Sequence, residues 1–133
     1  MLWRPAVVVH ELAQARAALR PGYAVLLLSA PDAAGFAGCL WWRSMVALAR
    51  AAHPATPALD LLDCGAAPGW AMASLRAGQR LIRLDPACPG FAAVRAAAAT
   101  LGADVLPNRP EALDMADSRA AWRLMGWLAG VAR

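Results

Sequence analysis

Residues 62–86, LDCGAAPGWAMASLRAGQRLIRLDP, gather the residue types that can hold a small ligand. An apolar run ends in Asp63, a turn containing Gly65 and Gly69 follows, and a second apolar run ends in Asp85, 22 residues after Asp63. Glycines in such a turn let the backbone come close to a bound group, and a carboxylate ending the next strand can accept hydrogen bonds from hydroxyls. The same residues also build the tight turns of any small α/β domain. Two readings therefore stand side by side: a cofactor cradle with Asp63, Gly65, Gly69 and Asp85 as its binding residues, or turns that serve packing alone.

The elements that must position these residues repeat along the chain. Short apolar runs at 6–9, 23–30, 58–64, 80–85 and 103–107 read as buried strands. Alanine-rich segments with helical spacing lie between and after them, near 11–20, 36–53, 69–78, 88–101 and 111–130. Strands alternating with helices of this length predict a parallel sheet covered by its crossover helices. The expected fold is a single α/β domain over residues 1–133, a three-layer, five-stranded parallel sheet of (βα)5 type, flavodoxin-like; half of a (βα)8 barrel shares the same local pattern. In either, ligands bind at the carboxyl ends of the strands. Those ends carry His10 and Glu11, Ser29 and Asp32, Asp63 to Gly65, Asp85, and Asn108 with Arg109.

Composition narrows the function. A chain of 133 residues can bury one core without disulfide or metal staples. Apolar residues make up 60% of it, but 35 are alanine, so large side chains are fewer than that figure implies. The net charge of +4 comes from 13 basic residues, all arginine, against 9 acids. Without lysine there is no Walker-type phosphate loop, no Schiff-base chemistry and no lysine-dependent phosphoryl switch. The arginines are spread along the chain rather than clustered along a phosphate track, so nucleic-acid binding is not indicated.

Cys39, Cys64 and Cys88 are odd in number and form no CxxC pair, which predicts buried thiols rather than disulfides or a zinc knuckle. The longest run without a charge, residues 64–75, falls short of the roughly 20 residues that cross a bilayer. His10 and Glu11 interrupt the apolar run near the N-terminus before a secretory core forms. The expectation is a cytoplasmic protein with no membrane partner.

The segment LDCGAAPGW resembles the first motif of S-adenosylmethionine-dependent methyltransferases, above all the RNA ribose methyltransferases, whose loop reads Asp-x-Gly-Ala-Ala-Pro-Gly. This resemblance covers about 25 residues. It implies S-adenosylmethionine as cofactor, with the 65–69 turn against it and Asp85 on its ribose hydroxyls. The Lys-Asp-Lys-Glu catalytic set of the ribose enzymes has no counterpart in a chain without lysine.

A second resemblance covers most of the chain. The order VVVHE, helix, GYAVLLLSA, helix, PALDLLDCGAAPG, helix, strand, LGADVLPNRPEAL is similar to response-regulator receiver domains, with Asp63 at the phospho-acceptor position. Receiver chemistry needs an acid pair after the first strand for Mg²⁺, a Ser or Thr ending the fourth, and a Lys after the fifth. Here His10 and Glu11, Asp85, and Asn108 with Arg109 stand in those places, a poor donor set for a divalent ion. What this resemblance implies is a non-catalytic binding or regulatory domain that has lost its phosphorylation site, with no cofactor.

Other chemistry is weaker. Ser29, His10 and Asp63 are the residue types of a hydrolytic triad, but their spacing carries no motif. His53 precedes Pro54 at the opposite end of the strands, and Cys64 has no cationic neighbour to activate it. Structural roles are expected for all of them.

The helix FAGCLWWRSMVALARAAH, residues 36–53, presents two apolar stripes about 100° apart: Trp41, Met45 and Leu48, and Trp42, Val46 and Ala49. One stripe can cover the sheet, and the other predicts a homodimer through this tryptophan-bearing helix. On that expectation either Trp41→Glu or Trp42→Glu separates the subunits and leaves the fold intact. Trp122 and Trp127 mark a similar helix near the C-terminus, while for Trp3 and Trp70 the capping of sheet edges is the alternative role.

Overall fold

In the computed structural model, which describes residues 4–130, the apolar runs form parallel strands: β1 (Ala6–Val8), β2 (Val25–Leu28), β3 (Ala58–Asp63), β4 (Leu81–Arg83) and β5 (Asp104–Leu106). Residues of β1 and β2 are buried throughout, which is why the sequence shows continuous apolar runs there instead of alternation. Helices α1 (Leu12–Leu19), α4 (Pro68–Arg76) and α5 (Phe91–Thr100) fall where the alanine-rich segments predict them. Trp3 lies outside the described residues.

Among the described residues the expected five strands are six. Residues Ala112–Asp114 form β6, paired in parallel with β1, where a helix from residue 111 was expected. The strand is only three residues long and buries one large side chain, Leu113, too little to show as a periodic pattern. Its ladder is extended by the Met115 amide, which donates to the Val8 carbonyl at 3.0 Å. The last helix, α6 (Ala120–Leu128), starts later, after a turn in which the Arg119 amide donates to Asp117 Oδ1 at 2.8 Å.

The helix expected over residues 36–53 is also divided. Short α2 (Ala33–Phe36) ends at Gly38, whose φ of +91° and amide bond to the Ala33 carbonyl stop it, and α3 (Cys39–Ala52) then begins. Along α3 the Trp42, Met45, Val46 and Ala49 side chains are buried, while Leu40 (70% exposed), Trp41 and Leu48 (54%) face solvent. Trp42 is 0% exposed within its own chain, which corrects its expected place on an interface.

The chain divides into two compact units, one of residues 1–28, 45–60 and 110–133, the other of residues 29–44 and 61–109. In the first, β1 lies between β2 and β6. The flavodoxin-like order would set β3 beside the first strand. The Trp127 indole of α6 donates to the Ala6 carbonyl of β1 at 2.8 Å, so this buried tryptophan packs without an orphaned N–H. In the second unit β4 lies between β3 and β5. The two steps run the same way, so right-handed crossovers place α4 and α5 on one face of that sheet, where they touch.

Candidate functional site

All four predicted binding residues belong to the second unit: Asp63 and Gly65 at the carboxyl end of β3, Asp85 after β4, and Gly69 in the first turn of α4. Asp63 ends β3 and is completely buried. A carboxylate so placed must be saturated, because an isolated buried charge is costly. Here Oδ1 accepts from the Gly65 amide at 2.7 Å, closing an Asx turn, and Oδ2 accepts from Arg109 Nη1 at 2.8 Å. Arg83 Nη1 stands 3.9 Å from Oδ1 and adds a second positive charge. The Asp63 amide donates to Ser29 Oγ at 2.9 Å, and that hydroxyl donates to the Ala30 carbonyl at 3.0 Å.

The two arginines are anchored in turn. Arg109 Nη1 also donates to the Ser29 carbonyl at 3.0 Å, and Arg83 Nε donates to the Pro107 carbonyl at 3.1 Å. The ends of β3 and β4 and the segment after β5 are thereby tied through one carboxylate. Asp63 has neither the exposure nor a free oxygen for attack on phosphorus or proton abstraction.

Gly65 follows with φ of +60°, a conformation that disfavours any side chain, and its carbonyl accepts from the Asp85 amide at 2.7 Å. The glycine turn and the second acid are thus one hydrogen bond apart. Asp85 Oδ1 accepts from the Ala87 amide at 2.9 Å and shapes the turn after β4. Gly69 stands apart from these three: it is the second residue of α4, behind Pro68 in the first-turn position that proline favours, with open space where a Cβ would be. That space belongs to an open apolar depression of about 430 Å³ lined by Ala67, Pro68, Gly69, Trp70 and Ala73.

The other sequence candidates have structural partners. His10 Nε2 pairs with Asp114 Oδ1 at 2.7 Å, and Ser29 serves the Asp63 amide, so no Ser–His–Asp relay forms. The Cys64 thiol is buried against the Ser74 hydroxyl at 3.8 Å. Burial pushes its pKa up to about 12; the Ser74 hydrogen bond opposes this and the Asp63 charge reinforces it. It is an inert thiol. Among the described residues no group of three or more His, Cys, Asp or Glu side chains is gathered as a metal site, and no helix is long and apolar enough to cross a membrane.

Two partners were not legible as partners. Arg109 stood among the rim residues, and its place after the fifth strand, where receivers carry a lysine, was the available signal. Asp32, whose side chain lies against Gly65, had none beyond its position at a strand end. No family model matches the chain, and no curated protein matches it.

Proposed function

We propose that this chain is a non-catalytic binding or regulatory domain, receiver-like in layout, in which the residue at the acceptor position has become a structural pin. The observation that carries this reading is the 2.8 Å bond from Arg109 to a fully buried Asp63. A basic residue following β5 reaches the acid that ends β3, as the receiver layout requires, but it does so on a carboxylate closed to reagents. The fold is then a variant of the three-layer flavodoxin-like type, altered at β1, whose second neighbour is β6. A cytoplasmic location and a homodimer through the Leu40, Trp41 and Leu48 face of α3 complete the proposal, since a row of exposed large apolar side chains favours a covering partner. Nucleic acid has no place in it. The test is beryllofluoride with Mg²⁺, followed by the amide spectrum. No change is expected at Asp63, Gly65 or Arg109; a change abolished by Asp63→Asn would overturn the reading.

A second reading is favoured by the Asp85-to-Gly65 hydrogen bond. It brings together the glycine turn and the acid that a nucleoside cofactor such as S-adenosylmethionine would need, with Asp63 shaping the turn and Gly69 open beside it. Calorimetric titration with S-adenosylhomocysteine separates the two. Micromolar binding supports the cofactor reading, and no heat at millimolar ligand removes it.

A further inference from the structure

We propose that residues 31–38 form a strap over the turn after β3, closed by the Asp32 carboxylate acting as a latch on Gly65. Asp32 is the one non-glycine residue with positive φ among the described residues, at +62°, and its side chain is seated so that a Cβ on Gly65 would collide with Oδ1. A few residues on, Gly35 lies on the Trp70 indole; a Cβ there would stand 3.5 Å from Nε1. The strap therefore rests on the turn at two points, one at each end of residues 65–70.

Beyond the packing of short α2 on α4, little else fastens it. The buried side chains of α2 are the methyl groups of Ala33 and Ala34, whereas Phe36 is 71% exposed. The amides of Ala33, Gly35, Phe36, Ala37 and Gly38 donate to the carbonyls of Ala30, Asp32, Asp32, Ala33 and Ala33. These bonds are local, so the segment can lift from the turn without breaking a sheet ladder. A segment with few buried apolar groups and only local hydrogen bonds opens at far lower free energy than the core around it.

The closed strap bars approach to Gly65 from the Asp32 side. What passes when it opens rests on the cofactor reading; the strap itself does not, and its test needs no ligand. Native-state hydrogen exchange of the full chain, followed residue by residue, reads the opening directly. The amides of Gly35 to Gly38 are expected to exchange at least tenfold faster than those of Ala71 and Leu75 in α4, and Asp32→Ala is expected to speed the strap amides about tenfold more while leaving α4 unchanged.

Gly65→Ala provides an independent arm, because its new methyl pushes on the latch from the other side. It should speed the strap amides in the wild-type background and add nothing in Asp32→Gly. Equal protection of strap and α4, no effect of Asp32→Ala, or acceleration by Gly65→Ala that persists without the Asp32 side chain would each overturn the proposal. Absent heat with S-adenosylhomocysteine alongside the expected exchange pattern would remove the cofactor reading and keep the strap.

Discussion

Arg109 Nη1 donates at once to Asp63 Oδ2 at 2.8 Å and to the Ser29 carbonyl at 3.0 Å, so one guanidinium nitrogen ties the segment after β5 to Ser29 and to the end of β3 within the second unit. Removing it leaves a buried carboxylate with the Gly65 amide and a more distant Arg83. Arg109→Ala is therefore expected to destabilise the chain by about 3 kcal/mol, in the range for breaking a buried pair on one side. Urea unfolding measures this. A loss under about 1 kcal/mol, the level of an exposed ion pair, would show that water replaces the guanidinium without penalty.

Cys64 makes stability fall in alkali. Its folded pKa is raised to about 12 from an ordinary 9.0, so the native state holds a proton that the unfolded state releases. The stabilisation is complete below pH 9 and is lost as pH rises toward 12. Cys64→Ala should flatten that alkaline slope, read by unfolding at a series of pH values. In the native protein at pH 8 this thiol should also resist alkylation, as peptide mapping would show.

The two tryptophans of α3 should behave oppositely. Trp42 is buried, and Trp42→Ala is expected to cost about 3 to 5 kcal/mol. Leu40→Glu and Leu48→Glu, on the exposed face, should leave thermal stability within about 0.5 kcal/mol and shift sedimentation from dimer to monomer. Wild type sedimenting as a monomer at about 100 µM, a concentration that reveals even weak association, would end the dimer proposal.

Asp85→Ala should destabilise by about 1 kcal/mol, because Oδ1 no longer holds the Ala87 amide. On the cofactor reading it should also weaken S-adenosylhomocysteine about tenfold, since one lost hydrogen bond to a ribose hydroxyl is of that size. A thermal melt and a titration of the same variant read the two effects separately.

What could be read from the sequence was what repeats locally. The first five strands lie inside the predicted runs because their side chains are mostly buried, and helical spacing placed Trp42, Val46 and Ala49 on one stripe, which the fold buries. β6 escaped because one buried leucine among polar neighbours carries no period. The split before α3 escaped because a lone glycine within a helical pattern does not declare its φ. Asp63 and Gly65 were legible as one turn, since turn chemistry is written in adjacent residues, and Asp85 as the acid ending the next apolar run. The Asp63 to Arg109 bond spans 46 residues, and no local pattern specifies a pairing at that range.

That bond also couples two codons. Replacing Asp63 or Arg109 singly strands the other charge, while replacing both with well-packed apolar residues can be close to neutral. A lineage that discards the pair must pass through an intermediate less stable than either end, and the remaining stability of the chain sets whether that intermediate survives. Mutational tolerance at position 63 is accordingly a property of position 109, and neither can be scored alone.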